Sequence, residues 1–368
     1  MYIYGITGTN GKTTTSYLLA SILEQTYGKE KVGMLTTVSF RVAGNEEFNE
    51  TKMTTLPSKK IFGYLQKMRQ CGVIHVVLET TSHALDQHRL AGMKFDGAII
   101  LNIAREHLDY HNTMDAYAAA KEKIVALLKP NAPLVGKQDD ERVRAILDRA
   151  GKGVRVVRMT AEIISQTNTP LAGSINKENA AAASLLAAAV GISKEKISAG
   201  IAAVEKVPGR MEKIEAPQGF TVIIDYAVTP DALERLYSDL PRRSPNGEGG
   251  RILATLSAAG LRDRGKRPEM ARAVAKYADK IVVTNEDPWT ESEEQIYSDL
   301  EKGLVGSSVQ WQRIPDRREA ISNLLHDAKP GDVVVCTGKG AERGMGIGKD
   351  IIPWNEREII EELLAQLR

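Results

Sequence analysis

Residues 2–6, Tyr-Ile-Tyr-Gly-Ile, form a short β-prone run that leads into Thr-Gly-Thr-Asn-Gly-Lys-Thr-Thr-Thr at 7–15 and then an apolar-periodic stretch at 17–23. A strand, a glycine loop and a helix in that order predict a loop whose backbone N–H groups, backed by a helix N-terminus, hold phosphate oxygens. Lys12 would neutralise phosphate charge and the Thr13 hydroxyl would reach a Mg²⁺ ion. Gly8, Thr9, Asn10, Gly11, Lys12, Thr13 and Thr14 are therefore candidate nucleotide contacts. Five residues separate Gly5 from Gly11, one more than the usual pattern of this motif.

Further apolar runs at 73–78, 97–102 and 134–135 alternate with helical patterns at 58–70 and 114–129, which predicts a mostly parallel sheet. An alanine-rich helix is expected at 180–190 and another at 194–204, with a break near 207–210. The alternation then restarts with strands at 221–225, 251–255, 280–284 and 333–337, giving a second α/β unit. Domains of 1–207 and 208–368 follow, with a polar, mobile loop expected at 241–250.

Lys plus Arg number 49 against 47 acidic residues, a net charge of +2, which argues against nucleic acid as a partner. Cys71 and Cys336 form no CxxC pair, which argues against a zinc ribbon and for a reducing compartment, the cytoplasm. The longest apolar stretch, 180–192, is shorter than the ~20 residues of a membrane span, and no basic region precedes an apolar N-terminal segment. Neither membrane insertion nor a signal peptide is expected.

Two downstream segments end strands with polar groups, the place where ligands bind in open α/β sheets. One runs Glu79-Thr-Thr-Ser-His83; the other spans 100–111 and carries Asn102, Glu106, His107, Asp109 and His111. Glu79 and His107 are candidate Mg²⁺ ligands, with solvated loop positions as the alternative for each.

Together these segments resemble the Mur ligases, ATP-dependent amide-forming enzymes of peptidoglycan precursor synthesis, and within them the tripeptide-synthetase branch, Mur ligase E. Residues 7–15 resemble the family's ATP loop, 79–85 its Glu-Val-Ser-Ser-His-Ala-Leu, and 102–121 its Asn-Leu-Thr-Arg-Asp-His-Leu-Asp-Tyr-His segment. The likeness continues through 209–212, 225–231, 262–268 (Arg-Asp-Arg-Gly-Lys-Arg-Pro), 284–290 and 338–342 (Gly-Lys-Gly-Ala-Glu). It implies a P-loop-type central domain and a Rossmann-like C-terminal domain with catalysis in the cleft between them. ATP and two Mg²⁺ are implied cofactors, held at Thr13, Glu79, His107 and Lys121, the last as a carbamate formed with CO₂. Lys12, Glu79, His107 and Lys121 are the implied catalytic residues; from its surroundings alone Lys121 would be an ordinary surface lysine.

The same resemblance assigns Asn102, Asn176, Asn179, Arg210, Asp225 and Tyr226 to the nucleotide. N-capping of the alanine helix is the alternative for Asn176 and Asn179, and a turn start for Asp225. Thr54, Thr55, Thr81, Ser82, His83, Gln87 and Arg89 are assigned to the sugar-peptide acceptor, with Arg89 facing its carboxylates. Arg267, Glu286, Asp287, Trp289, Gly338 and Glu342 are assigned to the incoming amino acid.

The chain departs from the family at several positions. The glycine loop opens only a few residues after Met1, whereas the family carries a uridine-binding domain ahead of it. A truncation, a substrate whose uridine end is left unheld, or an acceptor that is not a UDP-sugar would each account for this, and a separate UDP-binding partner is left open. Leu56 interrupts the Thr-Thr-Pro pattern, Val228 replaces a histidine near the phosphates, and 257–261 is poorer in glycine. Trp289 stands where an arginine clamps the distal carboxylate of diaminopimelate, which disfavours that amino acid and leaves lysine or another open. Three readings compete: a muramoyl-peptide ligase, a related ligase of a cyanophycin-like or other peptide polymer, and a catalytically degenerate ATP-binding subunit. Small-molecule substrates are the partners expected for the first two.

Overall fold

The computed structural model describes residues 1–241 and 249–367, so most of the loop expected at 241–250 lies outside the described residues. The chain divides into two compact units: Met1–Ala104 with Tyr110–Glu205, and Arg105–Asp109 with residues 206–367. Residues 105–109 thus fall in the second unit, outside the sequence stretch expected for it, because Arg105 pairs with Glu269 at 2.7 Å and with Asp263 at 3.5 Å.

The first unit is an eight-stranded sheet. Its strands are β1 (Tyr2–Thr7), β2 (Val32–Leu35), β3 (Ser39–Val42), β4 (Asn45–Phe48), β5 (His75–Glu79), β6 (Gly97–Ile100), β7 (Pro133–Lys137) and β8 (Arg155–Met159). They lie in the order β4-β3-β2-β5-β1-β6-β7-β8, antiparallel only at β2–β3 and β3–β4. Strands β1, β5 and β6 are apolar along nearly their whole length, as a parallel sheet covered on both faces requires. One face carries a core of residues such as Ile61, Leu65, Phe95 and Tyr117. Glycine is required at 200, where any Cβ would collide with the Ile22 backbone of the helix Lys12–Tyr27. There Ser21 Oγ donates to the Gly200 carbonyl at 2.7 Å.

The helix expected at 180–190 starts earlier, as Ser174–Ala189, capped by Gly173. The Asn176 and Asn179 side chains therefore lie inside the helix and are buried, which corrects the N-capping alternative. The helical pattern at 114–129 ends as an α-helix at Glu122 and continues as a 3₁₀ turn, Val125–Leu127.

The second unit holds β9 (Glu212–Glu215), β10 (Thr221–Asp225), β11 (Ile252–Leu256), β12 (Lys280–Val283), β13 (Gln310–Arg313) and β14 (Val333–Thr337). Their order is β13-β12-β11-β14-β10-β9, with only β9 antiparallel. A small hairpin, β15 (Gly344–Ile347) with β16 (Asp350–Pro353), follows. Cores cover both faces of the six-stranded sheet. No helix of the described residues is long and apolar enough to cross a membrane.

Candidate active site

β1 is central in its sheet, flanked by β5 and β6, so the loops after these three strands gather at one carboxyl edge, the crevice where open α/β sheets bind ligands. The loop after β1 runs from Gly8 to Gly11, and the helix Lys12–Tyr27 begins directly behind it. Gly11 adopts φ 88°, and a Cβ there would fall on the Asn179 side chain, so the position demands glycine. Asn102 clamps the loop from β6: its Oδ1 accepts from the Asn10 N–H at 2.8 Å and its Nδ2 donates to Asn10 O at 3.2 Å. Asn179 accepts from Thr15 Oγ1 at 3.3 Å and donates to Asn176 Oδ1 at 3.0 Å. In this structure the two asparagines brace the loop and its helix.

Three charged side chains stand around the loop. Lys12 Nζ donates to the carbonyls of Gly8 and Thr9 at 3.0 and 2.8 Å. Lys121, expected at the surface on its own surroundings, is instead 1% exposed: its Nζ lies over the Tyr117 ring and donates to Gly8 O at 2.8 Å. Tyr117 OH lies 3.1 Å from Thr9 Oγ1, tying the helix Met114–Glu122 to the loop. Glu79 closes β5 and is 1% exposed. Thr13 Oγ1 lies 3.2 and 3.0 Å from its two carboxylate oxygens, and Thr37 donates to it through both backbone N–H and hydroxyl. Thr37 belongs to no motif recognised in the sequence.

The acceptor candidates of the first unit are also drawn together. Thr55 Oγ1 donates to the Glu79 carbonyl at 2.9 Å and accepts from the Thr81 N–H at 3.0 Å; Thr54 Oγ1 lies 2.9 Å from Thr37 Oγ1. Thr81 caps the helix Ser82–Asp86. Arg89 donates to Thr55 O and, through two nitrogens, to Gln87 Oε1. Ser82 Oγ meets His111 Nε2 at 3.0 Å, and His83 stacks at a tilt on Tyr110, centroids 4.3 Å apart.

In the second unit, His107 has φ 56° and its Nε2 lies 3.6 Å from the Glu106 carboxylate. Asp225 ends β10 and accepts from the Met211 and Ala227 N–H groups at 2.6 and 2.8 Å. Burial raises its carboxyl above the ordinary aspartate range, against the pull of nearby Arg210. Arg210 lies over the Tyr226 ring at 4.6 Å, and Tyr226 OH donates to Glu342 Oε1 at 3.4 Å. Lys339, fully buried, donates to Glu342 at 2.6 Å and Asp287 at 2.9 Å; burial disfavours its charge, but these two carboxylates hold its ammonium above the usual range. Burial, then Asp287, raises Glu286, which accepts from Ser257 Oγ at 3.0 Å beside Gly338.

Arg267 does not reach solvent. Its guanidinium donates to both oxygens of Glu291 at 2.7 and 2.8 Å and to Asp299 at 3.2 Å, so in this structure it is engaged with the turn that carries Glu291. Arg262 and Arg264 of the same Arg-Asp-Arg-Gly-Lys-Arg segment are exposed and line a cleft of about 680 Å³ with Leu261, Glu291, Ser292 and Gln295. Trp289, at φ 52°, donates its N–H to Gly346 O at 3.1 Å and lays its ring against the Gly346 backbone.

The oxygen donors at Thr13 and Glu79 suit a hard divalent cation. The buried Thr7 hydroxyl immediately before the loop has no hydrogen-bond partner among the described residues, a further polar group at a phosphate cradle. Among the described residues no three His, Cys, Asp or Glu side chains converge as a protein-only metal cage.

Residues 6–163 match the Mur ligase middle domain and residues 209–340 the family described as Mur ligase, glutamate ligase domain. The UDP-N-acetylmuramyl-tripeptide synthetase of Roseiflexus sp. is 35% identical over 100% of this chain and 79% of that protein. The UDP-N-acetylmuramoyl-L-alanyl-D-glutamate–2,6-diaminopimelate ligase of Geobacillus kaustophilus is 35% identical over 98% of this chain and 78% of its own. A solved structure with that same ligase name aligns at a TM-score of 0.61 and 28% identity, covering 100% of this chain and 79% of that one.

Proposed function

Because this chain belongs to the Mur ligase family, we propose that it is an ATP-dependent, ADP-forming amide ligase that joins an amino acid to a muramoyl-peptide carboxylate. The observation that carries this reading is the pairing of a glycine-loop phosphate cradle with the Thr13–Glu79 contact at one sheet edge. Names of relatives at 35% identity support a UDP-N-acetylmuramoyl dipeptide as the acceptor. The family also supports a cytoplasmic setting and small molecules as partners.

The chemistry needs two anions, phosphate and carboxylate, brought together. Loop N–H groups and Lys12 bind the phosphates of ATP and screen their charge. When bound, Mg²⁺ supplies Lewis-acid neutralisation of the transferring phosphoryl group, and Thr13 and Glu79 are the first-unit residues that would hold it. The acceptor carboxylate attacks the γ-phosphate, releasing ADP and forming an acyl phosphate. The amine of the amino acid then attacks that carbonyl, and phosphate leaves as the amide forms. Arg89, which donates to Gln87 and Thr55, would bind acceptor carboxylates. A carbamate on Lys121, formed from its neutral amine and CO₂ with loss of a proton, would turn a buried cation beside the loop into an anionic group.

The amino acid is read as one without a distal carboxylate, since the family's arginine position is occupied by Trp289, packed on Gly346. Hydroxylamine tests the mechanism. With acceptor and ATP but no amino acid, it should intercept an acyl phosphate as a hydroxamate; ADP formation without hydroxamate would refute the acyl-phosphate route.

A further inference from the structure

Thr37 lies in the turn between β2 and β3, away from the glycine loop in sequence. Its backbone N–H donates to Glu79 Oε2 at 2.9 Å and its hydroxyl to Oε1 at 3.1 Å, so one residue reaches both carboxylate oxygens. Thr13 reaches the same two oxygens with a single hydroxyl proton, which serves one at a time. Engaging both oxygens restrains a carboxylate against rotation about its last bond, and Thr37 reaches both from a turn separate from the loop that carries Thr13. The turn is itself fixed. Thr36 Oγ1 accepts from the Val38 and Ser39 N–H groups and donates to Ser39 O, and Asn49 Nδ2 donates to Thr36 O and Met53 O. The Thr37 hydroxyl also donates to Thr54 Oγ1 at 2.9 Å, so its one proton is shared between the acceptor loop and Glu79 Oε1, while the backbone N–H serves Oε2 throughout.

We propose that Thr37 is a positioning residue that orients the Glu79 carboxylate toward a divalent cation. The inference rests on the reading of Glu79 as a ligand of that cation. If Thr13 turns its hydroxyl oxygen to the cation, its proton leaves one carboxylate oxygen, and among the described residues Thr37 is left to keep the orientation. Groups that orient a metal ligand typically change affinity 10–100-fold when removed. The backbone N–H survives substitution, so the loss falls at the lower end of that range.

The test is a Mn²⁺ titration of the full chain with a non-hydrolysable ATP analogue, followed by electron paramagnetic resonance, on the wild type, Thr37→Val, Thr37→Ser and Glu79→Gln. Thr37→Val should weaken Mn²⁺ binding about tenfold, Thr37→Ser should restore it, and affinity for the analogue without metal should not change. If Thr37→Val fails to fold, Thr37→Ala takes its place. Wild-type Mn²⁺ affinity in the valine variant, with loss in Glu79→Gln, overturns the role of Thr37 and leaves the metal reading standing. Equal weakening in the valine and serine variants overturns it as well. Unchanged binding in Glu79→Gln removes both.

Discussion

Lys12 and Lys121 donate to the same carbonyl oxygen, that of Gly8, at 3.0 and 2.8 Å. Two ammonium groups converging on one atom repel each other, and either a bound anion beside them or carbamate formation at Lys121 relieves that repulsion. Lys12 is partly exposed and its recorded bonds go only to its own loop, so Lys12→Ala should keep the melting temperature of the wild type. Turnover should drop about 10²–10³-fold, the usual loss for one preorganised transition-state donor. Steady-state kinetics beside a thermal melt checks both halves.

Lys121 differs from Lys12 in being sealed under Tyr117. If it works as a carbamate, degassed CO₂-free buffer should lower the activity of the wild type, and bicarbonate should restore it. Lys121→Ala should be inactive in both buffers. Carbon-13 bicarbonate should give a carbamate resonance in the wild type that the variant lacks; an absent resonance with full activity removes the carbamate.

Arg267 and Arg262 should separate folding from substrate binding. Removing Arg267 takes the buried cation from Glu291, while Asp299 keeps Arg264 at 3.1 Å and Lys302 at 2.9 Å, a loss of about 1.5–3 kcal/mol for hydrogen bonds to a charged group. Arg262→Ala, on an exposed side chain of the cleft, should leave the melting temperature alone and raise the KM for the amino acid. Denaturant unfolding and kinetics on the two variants decide this.

His75 makes the stability of the first unit pH-dependent. Its ring stacks with Tyr2 and Tyr27 and faces the Tyr4 hydroxyl at 3.3 Å; burial lowers its pKa to about 4, with Asp96 pulling the other way. An unfolded histidine titrates near 6.5, so between these values the unfolded chain binds more protons than the folded one. Stability should fall as pH drops from about 6.5 to 4 and gain nothing further from this group above that window. In His75→Phe, which keeps an aromatic ring in the stack, melting temperatures should be flatter across the same window; identical slopes would contradict the assignment.

Much of the fold was legible because long apolar runs announce strands buried on both faces. The predicted helix 58–70 and strands 221–225 and 333–337 coincide with those of the structure. β4, Asn-Glu-Glu-Phe, carried no such signal, since it is an exposed edge strand. At the site, the glycine loop and Glu79 could be read from residue type and spacing, because phosphate and metal chemistry restrict both. Arg267 could not: three arginines share one short segment, and only packing reveals which one is sealed by Glu291 and Asp299. Thr37 escaped for a different reason. Its proposed role is a contact made across the sheet, and a threonine in a short turn has no sequence signature.

The most direct test of the central claim is ligation itself. The protein is mixed with ATP, Mg²⁺, UDP-N-acetylmuramoyl-L-alanyl-D-glutamate and each of a panel of amino acids, with Lys12→Ala as the blank, and phosphate and amide product are both quantified. The account predicts one phosphate released per amide formed, with one amino acid required and diaminopimelate a poor substrate. Phosphate release with no amide for any amino acid, or no difference from the Lys12→Ala blank, would contradict it.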